Sequence, residues 1–246
     1  MIGCDSSDPI DYVKCSVSNG CIDFVDVPHT RYVCVDFETN GFPEKNAMLL
    51  PWSSYPIQVS LSAVENGEVI HLYDSYIQGA ESVSKWVMDN TNVSFKKLNK
   101  APRLREVIKQ IAALLQPTDW LVAHNAHFDL RTCLIRTCER ERIYNEDLHK
   151  ILSLPRFCTM QCSYMKSVPP KRHNMGSLCE HFGVEWDDVS AHDATYDSLK
   201  LAHCVAEAYG RGVMMDAPYT IKPKWEVPKA SLTRTEIQEI LRMPLH

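Results

Sequence analysis

Two carboxylates two residues apart, Asp36 and Glu38, stand in the stretch Arg-Tyr-Val-Cys-Val-Asp-Phe-Glu-Thr-Asn-Gly at residues 31–41. Residues 32–37 are rich in β-branched and aromatic side chains and Asn40-Gly41 punctuates their end, so the stretch reads as a buried strand running into a turn. Side chains alternate faces along a strand, which puts Asp36 and Glu38 on one side and Val33, Val35 and Phe37 on the other. At an effective dielectric of about 20 and a spacing of about 4 Å, two such charges repel by roughly 4 kcal/mol. Protonation of one carboxyl would relieve this, and so would a cation; divalent Mg²⁺ or Mn²⁺ is the usual partner of an all-oxygen site. An acidic strand end in water is the plainer alternative for an isolated Asp-x-Glu.

Two further carboxylates sit at the end or inner face of a core element. Asp129 closes His124-Asn125-Ala126-His127-Phe128-Asp129, which follows a short apolar strand at 120–123 and leads into a helix carrying Leu130, Leu134 and Cys138. Asp197 lies one turn before Leu201 on the apolar stripe Ala194, Leu201, Cys204, Val205 and Ala208 of a helix spanning about 193–209. A carboxylate on a buried helix face needs a partner. His192 stands at the mouth of the same helix. Taken singly, Asp129 is explained as a first-turn charge favoured by the helix dipole. His192 is equally an exposed loop histidine, and Asp197 an arginine's partner. In this order and with these neighbours, the set is more specific than its members.

The elements that must position these groups can be read from periodicity. Residues 57–64 and 68–73 alternate around Glu65-Asn66-Gly67, a strong hairpin signal, so three antiparallel strands are in place by Tyr73. Residues 75–100 are polar and ambiguous. Leu104, Val107, Ile108, Ile111, Leu114 and Leu115 have helical spacing between Pro102 and Pro117. Strand, helix, strand, helix after an opening meander predicts an α/β fold, a mixed sheet covered by helices. An amphipathic segment follows at 157–165, then the loop Val168-Pro169-Pro170-Lys171-Arg172-His173 and a helix at 175–182. The expected organisation is an N-terminal tail at 1–28 with an edge strand at most, a core domain at 29–212 and an extension at 213–246. The extension holds a short helix, with Thr233 as N-cap, Glu236 closing a capping box, and Leu232 and Ile237 as a hydrophobic staple.

The 246 residues are 45% apolar and 23% charged, enough for one ordinary domain with extensions. A formal net charge of −5 argues against a broad basic footprint for nucleic acid but not against a local site. No run of about eighteen apolar residues predicts a membrane span, and the first residues lack the basic and apolar regions of a signal peptide. Ten cysteines and ten histidines raise the question of zinc or disulfides, but no Cys-x-x-Cys occurs and the pairs Cys133/Cys138 and Cys158/Cys162 are poorly spaced for zinc. Cys34, Cys133 and Cys204 replace aliphatic residues in apolar patterns. Reduced structural thiols in an intracellular, reducing compartment are the expectation.

Three segments together resemble the motifs of the DEDDh 3′→5′ exonuclease family, which has a ribonuclease H-like fold and includes the proofreading exonucleases. They are Val-Asp36-Phe-Glu38-Thr-Asn-Gly, Val-Ala-His-Asn-Ala-His-Phe-Asp129, and His192-Asp-Ala-Thr-Tyr-Asp197. Weaker similarity at Pro56-Ile57-Gln58, Cys158-Thr159-Met160 and 174–182 extends the resemblance over about residues 30–210. His192, five residues before Asp197, fits the histidine subclass; the tyrosine subclass would carry Tyr where this chain has Asp193. The resemblance implies two Mg²⁺ or Mn²⁺ ions, one held by Asp36, Glu38 and Asp197, the second by Asp36 with help from Asp129. It implies His192 as general base, a role suited to a side chain that ordinarily titrates near 6.5.

Thr39, Asn40 and Gly41 are the implied contacts to the terminal nucleotide, with His124, Asn125 and Phe128 as second candidates. Lys171 and Arg172, beside Lys166, are candidates for phosphate. Lys96, Lys97, Lys100, Arg103, Arg105 and Lys109 form a second basic cluster, read as a helix face or as a track for the strand. The implied activity is metal-dependent 3′→5′ hydrolysis of single-stranded or frayed ends, with DNA favoured by analogy. The alternatives are an exoribonuclease or oligoribonuclease on RNA 3′ ends, and a non-catalytic nucleic-acid-binding subunit. The helix at 233–243 would then dock a protein partner or pack back on its own domain; no membrane role is expected.

Overall fold

The computed structural model describes residues 11–14, 21–22, 31–41, 54–161, 174–211, 215–216 and 219–222. Its strands are β1 (Asp11–Lys14), β2 (Cys21–Ile22), β3 (Tyr32–Thr39), β4 (Pro56–Glu65), β5 (Glu68–Tyr76), β6 (Trp120–Ala123), β7 (Arg156–Cys158), β8 (Met215–Asp216) and β9 (Tyr219–Lys222). Seven form one sheet in the order β1-β9-β7-β6-β3-β4-β5, and β2 pairs with β8 separately. The β3-β4 and β4-β5 pairs are antiparallel, whereas β6 runs parallel to both β3 and β7. This is the mixed sheet expected from the opening meander. The hairpin between β4 and β5 turns on Asn66 and Gly67, whose φ angles of 53° and 82° suit a two-residue turn needing φ > 0 at both positions.

Because β3 and β6 are parallel, with Cys34 opposite Val122, their C-terminal ends leave the sheet on the same edge. That edge collects the chemistry. A buried ion pair holds the two strands in step. Arg31, at the start of β3, donates from Nε and Nη2 to the Asp119 carboxylate at 2.8 and 2.6 Å, and Asp119, fully buried, also accepts the Gln116 N–H at 2.7 Å. Such a two-pronged pair fixes geometry as well as charge.

Alternation along β3 sorts its side chains as expected. Val33, Val35 and Phe37 join a core with α3 (Leu104–Leu114) and the helix that follows β6. Tyr32 and Cys34 face the opposite layer, with α6 (Met175–Phe182) and α7 (Ala194–Gly210). Ser198 on α7 meets Ser60 at 2.8 Å and Ser62 at 3.1 Å on β4, so small hydroxyls bond where α7 crosses the sheet. A smaller core of Ile57, Val87, Val93 and Leu98 seats α1 (Lys85–Asn90) and α2 (Phe95–Leu98). These two helices resolve the ambiguity at 75–100.

The structure departs from the sequence reading in several places. The helix after β6 is π-wound over His127–Ile135, with the Arg136 N–H donating to the Arg131 carbonyl, before α4 (Arg136–Glu141) resumes α geometry. The α-helical spacing of Leu130, Leu134 and Cys138 gave no hint of this, because six of the nine residues in the π segment are buried, Asp129 and Arg131 among them, and leave no clear apolar period. Helix α5 (Glu146–Ser153) was not anticipated, although Asn145 caps it and Glu146 and Asp147 fill its first turn. The amphipathic segment at 157–165 begins as β7 and one 3₁₀ turn (Thr159–Gln161). The loop at 162–173, with Lys166, Lys171 and Arg172, and the helix expected at 233–243 lie outside the described residues.

Six described cysteines, Cys34, Cys133, Cys138, Cys158, Cys179 and Cys204, are free and buried, the core placement expected of Cys34, Cys133 and Cys204. Gly41 ends the β3 segment at φ +108°, where an added Cβ would lie 2.5 Å from Ser84 Oγ. Gly41→Ala is therefore expected to destabilise the fold by about 1–3 kcal/mol, read as a lower urea midpoint with an unchanged slope.

Candidate active site

Asp36 and Glu38 are the two half-buried members of an otherwise buried strand, and they share the face that α7 covers. A register shift in the β3-β4 pair falls between Glu38 and Thr39, so regular pairing ends as soon as the carboxylates have been delivered. Asp129 comes from the first turn of the π-wound segment and is 3% exposed; its Oδ1 accepts the Phe37 N–H at 3.0 Å. That bond crosses from the helix to the strand between Asp36 and Glu38. Asp197 is 8% exposed on α7, and its Oδ2 accepts the His192 N–H at 3.2 Å. Asp193 caps α7 by accepting the Thr195 and Tyr196 N–H groups. The five residues singled out from the sequence thus converge from β3, the π segment and the loop into α7.

Two oxygens of the cluster are shut off from solvent with no hydrogen-bond donor among the described residues: Asp36 Oδ2 and Asp197 Oδ1. A buried carboxylate oxygen in that state is costly unless a positive charge or a proton meets it. Burial, the largest cause, drives the Asp36 carboxyl well above the usual range, and Asp129, Glu38, Asp197 and Asp193 add to the effect. Glu38 is pushed up to about 8 by burial and by Asp197, Asp129 and Asp193. Burial lifts Asp129 to about 7 against the opposing Phe37 bond, and Asp197 to about 7 against the His192 bond. Glu38, His192 and Asp197 each offer a ligand atom, all within 4.8 Å of one another. Carboxylate oxygens from Glu38 and Asp197, with the orphaned oxygens of Asp36 and Asp197 beside them, fit a hard divalent cation.

The surroundings separate the remaining candidates. Thr39 is buried. The Asn40 side chain is committed to the fold, its Oδ1 accepting the Tyr55 N–H at 2.7 Å and its Nδ2 donating to the Ser82 carbonyl at 3.0 Å. Gly41 packs under Ser84. His124 Nδ1 lies 2.8 Å from Thr159 Oγ1. Asn125 adopts φ 118°, and its carbonyl accepts the Phe128 and Asp129 N–H groups, so it starts the turn that aims Asp129. Phe128 is half-buried against the larger core. His192 is exposed and sits at φ 67°, a left-handed conformation uncommon for a non-glycine residue.

The sequence reading missed Trp86. It is 54% exposed on α1, and its ring meets that of His192 edge-on at 5.2 Å between centroids. A cleft of about 870 Å³ opens there, lined by Trp86, Asn90, Asn92, Ser190, His192 and Tyr196 among others. A polar segment without periodicity carried no signal for that placement.

All four carboxyl shifts have one sign. The folded, metal-free protein keeps protons that the unfolded chain loses near pH 4, so its stability falls as pH rises from about 4 to about 8. Thermal unfolding in EDTA is expected to show Tm falling between about pH 5.5 and 8, with added Mn²⁺ raising Tm most at the upper end, because ligands must be deprotonated. A metal-free Tm that rises over that range would contradict the burial of these groups.

Residues 33–204 match the RNase_T family model, described as an exonuclease. The chain is similar to the DNA polymerase III PolC-type of Streptococcus mutans serotype c, 29% identical over 187 residues, covering 76% of this chain and 11% of that one. It therefore spans about a tenth of that relative. It is also similar to Ribonuclease T of Buchnera aphidicola subsp. Schizaphis graminum, 23% identical over 194 residues, covering 73% of this chain and 83% of that one. Among solved structures, a 3′-exonuclease that recognises the 3′ end of a histone mRNA stem-loop shares the fold with a TM-score of 0.63 at 15% identity, over 83% of this chain and 96% of that chain. With the family model covering most of the chain, and the solved 3′-exonuclease sharing its fold, this protein belongs to the RNase_T exonuclease family.

Proposed function

We propose that this chain removes nucleotides one at a time from single-stranded or frayed 3′ ends, releasing nucleoside 5′-monophosphates. The observation that carries the reading is the pair of orphaned, buried oxygens, Asp36 Oδ2 and Asp197 Oδ1, in a cluster of carboxylates beside an exposed histidine. Asp36, Glu38 and Asp197 would hold one divalent ion, and Asp36 with Asp129 a second. Two such ions, Mg²⁺ or Mn²⁺, would supply Lewis-acid stabilisation of charge on the scissile phosphate and lower the pKa of the attacking water.

The chain's own residues account for the rest. His192 stands at the solvent edge of the cluster, with its backbone tied to Asp197 by the 3.2 Å bond, and takes the proton of the attacking water. Asp129 is oriented by the Phe37 N–H and by the Asn125 turn. Trp86, beside His192, offers an exposed aromatic surface for the terminal base, since every base has a face that stacks. The adjoining cleft carries amides and hydroxyls suited to a base or sugar, and its carboxylates Asp89, Asp188 and Asp193 would turn phosphates away.

Single-stranded DNA is the first reading, supported by the name of the PolC-type relative, a DNA polymerase; the name of Ribonuclease T supports RNA as the second. The choice depends on contacts to the 2′-hydroxyl.

The test uses 5′-labelled DNA and RNA strands of one sequence, with Mg²⁺, Mn²⁺ or EDTA. Shortening from the 3′ end is expected with either metal, none in EDTA, and at least about a hundredfold loss in Asp36→Ala and His192→Ala. Binding without cleavage of either strand would leave a non-catalytic module. Trp86→Ala is expected to raise KM by about five- to a hundredfold, the size of one lost stacking contact, with a smaller effect on kcat. An unchanged KM would remove Trp86 from the substrate path.

A further inference from the structure

Residues 96–109 carry six cations, Lys96, Lys97, Lys100, Arg103, Arg105 and Lys109, against one carboxylate, Glu106, in a chain whose formal net charge is −5. All six are exposed. They do not form a single helix face. Lys96 and Lys97 lie on α2, Lys100 in the connection, Arg103 caps α3, and Arg105 and Lys109 project from α3 one turn apart. Lys97 donates to the Asn92 carbonyl and the Tyr76 hydroxyl, at 2.6 and 3.2 Å. None of the other five makes an ion pair with a described residue.

This arrangement is electrostatically unfavourable for the protein alone. Arg103 and Arg105 sit at the N-terminal end of α3, where the helix dipole disfavours positive charge, and only Glu106 offsets them. Arg105 and Lys109, four apart on one helix, repel each other. A polyanion laid across the surface would reverse both effects.

The cluster also borders a groove of about 560 Å³, lined by Gln78, Gly79, Arg103, Arg105, Glu106, Glu141 and Ile143. Of its two carboxylates, Glu106 is exposed and Glu141, half-buried, accepts the Tyr55 hydroxyl. Tyr55 connects this groove to the carboxylate cluster. Its N–H donates to Asn40 Oδ1, its carbonyl accepts the Asn40 N–H at 2.9 Å, and its hydroxyl reaches the Gln78 carbonyl at 3.1 Å. Asn40 lies two residues beyond Glu38, so a single residue, bonded through its backbone to the end of β3 and through its hydroxyl to the groove, joins the two. Gly79, at φ +139°, lies so close to Tyr55 that an added Cβ would overlap the ring.

We infer that this surface holds the phosphates of the strand on the 5′ side of the end being cut, with Arg103 and Arg105 at the groove and Lys96, Lys100 and Lys109 flanking it. The inference rests on the exonuclease reading and extends it from the terminal nucleotide to the body of the substrate. It predicts that grip depends on strand length and on salt, because each phosphate contact releases a condensed counterion.

The experiment compares the full chain with Arg103→Gln/Arg105→Gln, both in Mg²⁺. Binding of labelled single strands of three and twelve nucleotides, with phosphorothioate 3′-terminal linkages, is followed by anisotropy over a NaCl series. For the twelve-mer, the slope of log K against log [NaCl] should be shallower in the double variant by about 1.4, at about 0.7 per lost contact, with affinity down about tenfold; the three-mer should change little. An unchanged slope, an equal loss for both lengths, or wild-type binding that does not improve with length overturns the inference and gives the patch to a different, acidic partner. An unaltered Tm shows that the variant is folded. Cleavage of an unmodified three-mer by the wild type is scored in parallel. No cleavage together with the expected slopes removes the nuclease reading alone; cleavage together with unchanged slopes removes the surface alone.

Discussion

Mutual repulsion among carboxylates in a low-dielectric enclosure is the constraint on which this structure depends. Asp36 and Glu38, Asp129, and Asp197 come from three distant parts of the chain; burial raises the proton affinity of all four, and Glu38, Asp129 and Asp197 add to that of Asp36. Left alone, four flexible acids would turn outward into water. Here they are held by backbone bonds that cannot easily give: Phe37 N–H to Asp129 and His192 N–H to Asp197. The Arg31–Asp119 pair keeps β3 aligned with β6, and the Ser198 contacts join α7 to β4. The scaffold stores an electrostatic cost at one strand end and leaves a site in which positive charge is stabilised.

The backbone shows where that cost is concentrated. Departures from regular geometry gather around the carboxylates: the register shift after Glu38, the left-handed His192, Asn125 at φ 118° and the π-wound segment that begins at His127. Each re-aims a side chain that regular geometry would have placed elsewhere. Irregularities of this kind persist only when surrounding packing over-determines them, and they are associated with functional sites. Elsewhere the β3-β4-β5 meander pairs regularly apart from a second register shift, between Leu61 and Ser62 where β4 meets β5.

Charge is divided between regions of the molecule. The carboxylate cluster and its neighbouring cleft are acidic, with Asp89, Asp188 and Asp193 near Glu38 and Asp197, whereas α2, α3 and their connection carry a run of six cations. A polyanion meeting this protein would be repelled by the cleft walls and attracted by the basic surface. That division favours an end entering the site while the body of the strand lies elsewhere. A net charge of −5 conceals it, because the sum averages two regions of opposite sign.

What the sequence determined by itself follows from short-range physics. A period of two along residues 32–38 put Asp36 and Glu38 on one face, opposite Val33, Val35 and Phe37. A helical stripe placed Asp197 among buried residues, and Asn66-Gly67 specified the hairpin. Those features depend on neighbours within a few residues, so they are legible one stretch at a time. Tertiary structure decided the rest. The approach of Trp86 to His192, 106 residues later, the commitment of Asn40 to Tyr55 and Ser82, and the π winding that turns Asp129 toward Phe37 all arise from packing between remote elements. The isolation of Asp36 Oδ2 and Asp197 Oδ1 from solvent arises in the same way. Residue types named the chemistry, but only the closing of α7 and the π segment over β3 removed the water that would otherwise have screened it.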